Sequence, residues 1–221
     1  MIAAISWDWG YVGSFLPSLL LAFAKVTLPA TILGSLFGIA LGLIFAIIRR
    51  LRVPVLSQLV TAFVNFIRNT PLLVQLYALF FLLPNYGITI GAFTTGVIGL
   101  GVHYSTYYAE VYRAGIDGVP RGQWEACTAL SLPGRYTWQH VVLPQAIRNV
   151  LPALGNYAIS MFKETPFLAA ITVSEMVQTA QTIGSNSFRY LEPLTIAGLI
   201  FLAASYPTAV ALRKLEIRLG H

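Results

Sequence analysis

Charge is scarce in this sequence. Only 10% of its 221 residues are Asp, Glu, Lys or Arg, against about 25% in a soluble domain. With 57% hydrophobic residues and a mean hydropathy of +0.72, a water-soluble globule is excluded. Cysteine is almost absent. The single Cys127 rules out an internal disulfide and suits a small buried residue. Three scattered histidines and one cysteine supply no metal cluster, and no group of carboxylates gathers near one interface as a membrane enzyme would need. There is no G-x-x-x-x-G-K-S/T loop to cradle phosphates, so ATP is not expected on this chain. Period-two alternation is missing too, which excludes a membrane β-barrel. No internal repeat of the kind many ion-driven transporters carry is evident. No cleaved leader is expected, because the first ten residues hold no cation and the first apolar run is too long for an h-region.

What remains is long apolar runs, several exceeding the roughly 20 residues that cross a bilayer. The pattern predicts an all-α integral membrane protein, one domain over residues 1–221, with about five transmembrane helices. The net charge of +6 reports topology rather than nucleic acid, because the cations sit beside the apolar spans. The first span covers Leu16 to Ile48 and is followed at once by Arg49, Arg50 and Arg52. Positive charge favours the cytoplasmic side, so the N-terminus is placed outside, with Trp7, Trp9 and Tyr11 at the outer interface. A second segment follows Pro54 and stops before Pro84, and Pro71 should kink or break it. The third covers about Ala92 to Tyr112. The fourth starts near Ile147, and the fifth spans Pro193 to Leu212. Arg213, Lys214 and Arg218 place the C-terminus inside. A cytoplasmic loop occupies about 114–146. An outer loop with a short helix occupies about 171–192. Gly34, Gly38 and Gly42 form a small-residue stripe for close helix contact within the chain.

The loop is the most patterned stretch. Pro120 suits the first turn of a short helix on which Trp124, Cys127 and Leu130 share a face. Leu132-Pro133-Gly134 turns the chain, and a second short helix is expected to end before Pro144. Glu125, Ala126, Cys127, Ser131, Val141, Leu143 and Pro144 hold the places of a pattern that reads EAA, three residues, glycine, nine residues, an aliphatic, one residue, Leu-Pro. This resembles the EAA loop of binding-protein-dependent ABC importer permeases, with Cys127 for the third alanine and Ser131 for the glycine. Further segments are similar to the polar amino-acid members of that family. These are Arg68-Asn69-Thr70-Pro71-Leu72-Leu73-Val74-Gln75, the run Tyr108 to Ile116, the lead-in Val119-Pro120-Arg121-Gly122-Gln123-Trp124-Glu125-Ala126, Leu151 to Asn156, and Lys163-Glu164-Thr165.

The resemblance implies a type I importer permease fold in a bacterial inner membrane and no enzymatic activity in the chain itself. It implies two ATP-binding subunits that carry ATP and Mg, a second permease, identical or paralogous, and an extracytoplasmic solute-binding protein. Lipid surrounds the assembly, and the cargo is a polar amino acid or a related small polar solute. Arg121, Glu125, Ala126, Cys127, Ser131, Leu143 and Pro144 would then form the coupling surface.

Ionisable groups inside a span cost at least about 2.5–3.5 kcal/mol at the bilayer centre and need a partner or a function. Glu164 lies past the midplane of the fourth span. It either lines the substrate path and attracts a cationic group, or pairs with Lys163. Thr165 adjoins it. Thr70 beside Pro71 either faces a ligand or caps the kink. Arg68 is read as a structural cation paired with a glutamate or carbonyls, and Glu110 as a partner of Arg113 at helical spacing. His103 is expected to hydrogen-bond a neighbouring helix, and the tyrosines around it to pack; an aromatic cage is the other reading.

Overall fold

The computed structural model describes residues 7–51 and 53–219, and their regular structure is helical throughout. Arg52, one of the three cations expected to follow the first span, lies outside the described residues. Helix α1 runs Trp9–Leu51, α2 Leu56–Arg68, α3 Leu72–Tyr86, α4 Ala92–Asp117 and α5 Arg121–Ala129. Helix α6 covers residues 134–164, α7 is Met176–Ser187 and α8 is Leu191–Arg218. A 3-10 stretch, Thr165–Ile171, leads from α6 towards α7.

By length and apolarity α1 and α8 can each cross a membrane, and α2 with α3 makes a third candidate, bent by 107° at the break before Leu72. The bend falls where Pro71 removes a backbone donor. α4 and α6 are long enough, at roughly 39 and 46 Å of helix. They are more polar, because they carry most of the chain's internal polar groups.

α1 is longer than the apolar run suggested. Asp8 caps it by accepting from the Tyr11 N–H, and that bond holds the Asp8 carboxyl below the usual range. Its first turns pack Val12, Phe15 and Leu19 against Met176 and Ala180 of α7 and Ile196 and Ala197 of α8. Its second half lies along α4. A π-turn, Phe23–Thr27, separates the two halves. This device recurs. Each of the three π-turns, Phe23–Thr27, Ala78–Leu82 and Thr137–Val142, is followed by a Leu-Pro pair, at Leu28-Pro29, Leu83-Pro84 and Leu143-Pro144. In the first and third the leucine N–H reaches back five residues, to Phe23 and to Trp138. A proline lacks a donor and its ring crowds the carbonyl four residues earlier; the wider π-turn relieves both.

That device corrects one expectation. The second helix of the loop does not end before Pro144 but runs on into the stretch expected as the fourth span. Residues 134–164 form one uninterrupted helix that carries Pro144 through its π-turn.

α1 and α4 run parallel at backbone contact. A Cβ on Gly38 would come within 3.0 Å of the Gly101 carbonyl and the Tyr108 ring, and one on Gly42 within 2.7 Å of the Ser105 carbonyl. The stripe therefore serves packing within the chain. α6 runs antiparallel to α8, with Gly155 under Leu212 and the Phe162 and Phe201 rings 4.8 Å apart. The α1 C-terminus, α5, and the C-terminal ends of α4 and α8 consequently lie at one end of the molecule. At the opposite end Glu175 is fully buried and caps α7, accepting from the Val177 and Gln178 N–H groups. Arg189 there ties Glu192 to Asp8.

Gly42→Ala is expected to destabilise the protein by about 1–3 kcal/mol, the usual cost of overpacking. Gly13→Ala, whose Cβ meets nothing within 4 Å, should be neutral or slightly stabilising. Thermal unfolding of the two variants in one detergent checks the difference.

Candidate functional site

The elbow between α4 and α6 is held by local chemistry. At the end of α5 the Leu132 N–H donates to the Cys127 carbonyl and the Ser131 N–H to the Thr128 carbonyl, each at 3.0 Å. This is a Schellman closure with Ser131 in the left-handed region at φ 52°. The reversal thus belongs to Ser131, in the place the family pattern gives to glycine, while Gly134 is already the first residue of α6. A serine there carries strain that a glycine would not.

Cys127 is buried, and Trp124 meets Trp138 edge to face at 5.4 Å. Behind them Val119, Val142 and Ala146 form a small core, and the Arg50 guanidinium lies over both indoles. Leu130 departs from the expected face. It is 71% exposed, because the helix closes at that residue and its periodicity stops. Arg121, Glu125, Ala126, Ser131, Leu143 and Pro144 are exposed as well, while Thr137 is buried. The elbow is packed inside and presents polar and apolar groups outward.

The second constellation lines α4. The 107° break is closed by Gln75, whose amide donates to the Ile67 and Thr70 carbonyls at 2.7 and 2.9 Å. Its oxygen lies 3.2 Å from Nδ1 of His103, which holds the break to α4. His103 thus bonds a neighbouring helix, as its position suggested. The Thr70 hydroxyl donates to the Phe66 carbonyl at 2.7 Å and caps the kink.

Glu110 gathers three arginines: Arg49 at 2.6 Å, Arg113 at 2.7 Å and Arg68 at 3.6 Å. Arg68 also lies 5.3 Å from the centre of the Tyr107 ring. From there Tyr107, Tyr157 and Tyr104 form a ladder of rings with centroids 5.3–6.4 Å apart. Glu164 lies beside Tyr104, and its Oε2 is buried without a hydrogen-bond partner among the described residues. Lys163 is exposed and forms no ion pair with Glu164, so the structural pair between these neighbours is not made. Thr165 is fully buried and donates to the Phe162 carbonyl at 2.8 Å. The structure therefore joins Glu164 to Arg68 and Glu110 along one polar track, and leaves Lys163 and the Thr70 hydroxyl outside it.

Sequence reasoning gave no role to Gln75 or Tyr157. A lone glutamine in the run LLVQLYALFFLL was the available signal, since a polar side chain there requires a partner. Tyr157 had none; only the packing of α6 on α4 brings it to the ladder.

The family described as "Binding-protein-dependent transport system inner membrane component" matches residues 38–221. The chain is a member of that permease family. It is 41% identical to the "probable amino-acid ABC transporter permease protein y4tG" of Sinorhizobium fredii, over 99% of this chain and 96% of that protein. It is 32% identical to the arginine ABC transporter permease protein ArtQ of Haemophilus influenzae, over 91% and 93% of the two chains. A crystal structure of an amino acid ABC transporter with histidines superposes with a TM-score of 0.92 at 33% identity, covering 97% of this chain and all of that one. The inward-facing MetNI methionine transporter superposes at 0.75 over 92% and 97% of the chains, and its 19% identity makes that a likeness of fold. The permease is thus a transport subunit of an ABC importer, and ATP hydrolysis belongs to a separate partner.

Gln75→Leu removes three hydrogen bonds of the permease at once and leaves the Ile67 and Thr70 carbonyls and the His103 ring without those partners. A loss of about 1–3 kcal/mol is expected, with faster amide exchange confined to residues 66–76. Hydrogen-exchange mass spectrometry checks it.

Proposed function

We propose that this permease carries a polar amino acid or related small polar solute into the cytoplasm along the polar track, and that the elbow is the coupling surface worked by ATPase subunits. The amino-acid, arginine and cystine transport named for its relatives supports the cargo class. The chain forms one permease domain of about five spans in a bacterial inner membrane. Its N-terminus lies outside and its C-terminus inside, since Arg49, Arg50, Arg113, Arg121, Arg135, Arg213 and Lys214 gather at the elbow end. ATP and Mg reside on two partner ATPases. A second permease completes the pathway, and an extracytoplasmic binding protein feeds it at the end where α7 lies.

The observation that carries the reading is the buried, unpartnered Oε2 of Glu164 at the head of the tyrosine ladder. A carboxylate held there without a counter-charge is arranged for a cationic group that arrives and leaves. Alternating access follows when closure of the ATPases displaces the elbow, and Glu125 offers a charge for a partner arginine.

Glu164→Gln should reduce uptake at low substrate about tenfold or more, the worth of a charge-assisted hydrogen bond. ATPase activity stimulated by the loaded binding protein should persist. Unchanged uptake removes the binding role. For the elbow, cysteines at the exposed Ala129 and Leu130 should crosslink to an ATPase subunit in a working assembly, and failure of both to do so refutes the coupling assignment.

A further inference from the structure

Beside the elbow, and away from the tyrosine ladder, the permease holds a cavity of about 710 Å³. Its walls come from the last turn of α1, the first turns of α2 and the last turns of α4. The polar groups facing it are Arg49, Arg50, Arg113, Asp117 and the hydroxyl residues Ser57 and Thr61. Among the described residues, three arginines (Arg49, Arg50 and Arg113) and one carboxylate (Asp117) line the recess, an excess of two positive charges, while Glu110, which also pairs with Arg49 and Arg113, is offset by Arg68 outside it. The N-terminus of α2, a 13-residue helix, adds its partial positive charge next to Ser57.

Exposed apolar residues adjoin the recess along the chain. Leu51 follows Arg50, Val55 and Leu56 precede Ser57, and the three are 44–67% exposed. The turn that brings α2 back beneath α1 passes through Val55 at φ 67°, a strained conformation for a β-branched residue. A cationic recess whose lining residues are followed or preceded in the chain by exposed leucine and valine fits a ligand with an anionic head and an apolar tail. A free anion would use the arginines alone and leave those apolar side chains uncovered.

We propose that this recess binds the phosphate headgroup of an anionic phospholipid, with the acyl chains lying along the exposed face of α2. The ligand supplies the negative charge that the three lining arginines lack. Because Arg50 touches the recess and also covers Trp124 and Trp138, bound lipid steadies the base of the elbow. The site rests on the family assignment only in that this end of the helices meets a membrane surface; it is independent of Glu164 and of the cargo.

The test uses the assembled transporter, delipidated and titrated with phosphatidylglycerol, phosphatidylcholine or inorganic phosphate, with bound lipid counted by native mass spectrometry. Phosphatidylglycerol should be retained in preference to phosphatidylcholine, and inorganic phosphate should not displace it. Arg50→Gln should weaken retention about fivefold, the effect of one cation near the surface. Asp117→Asn, which raises the positive excess without removing a cation, should tighten it. A variant that had merely lost structure would move the other way. Equal retention of the two lipids, no change in Arg50→Gln, or weaker retention in Asp117→Asn overturns the proposal. Displacement by inorganic phosphate shows a free-anion site and overturns the lipid assignment.

Discussion

Glycines at 34, 38 and 42 let α1 lie against α4 at backbone contact, and the positions of nearly all the internal polar groups follow from that approach. In lipid no hydrophobic force drives helices together, so contact area and backbone proximity must do it. With α1 locked on one face, α4 turns His103 towards α3 and Tyr104 and Tyr107 towards α6. A larger residue at 38 or 42 would move α4 as a whole, and with it one partner of each of those contacts.

The second constraint is the cost of charge and of open backbone in the membrane. The chain meets it with concentrated pairings rather than with many weak ones. One carboxylate, Glu110, serves three arginines drawn from α1, α2 and α4. One amide, Gln75, closes the break at Pro71 and binds His103. Glu164 is the exception. It alone among the acids of the track keeps a buried oxygen without a donor. Tyr108 Oη and Trp7 Nε1 are likewise buried without a partner among the described residues, and of the three only Glu164 is a carboxylate.

Much of this was legible in the residues. The glycine spacing, the proline at 71 and the short helix within residues 171–192 each rest on local rules that the structure obeys. The places where reading failed share a cause. Pro144 was taken as a stop because a proline ends an ordinary α-helix; the π-turn before it changes the ring's neighbours, and nothing in a residue-by-residue rule anticipates that. Leu130 was placed on one face with Trp124 and Cys127 by period, yet the Schellman closure ends the period at that residue. Lys163 and Glu164 were weighed as partners because they are adjacent, whereas adjacent residues on a helix point about 100° apart. Tyr157 and the three-arginine hub depend on which helices meet, and only the tertiary structure holds that information.

Passage of Pro144 within a continuous α6 has a mechanical outcome. Arg135 at the elbow and Glu164 at the head of the ladder are two points on one shaft, roughly 43 Å apart at 1.5 Å per residue. A shaft has no timing of its own. Tilting it at the bottom would swing the top in the same instant, so that closing one mouth and opening the other would be a single event, with slack at the widened turn Thr137–Val142 and at Pro152, where the helix lacks a backbone donor.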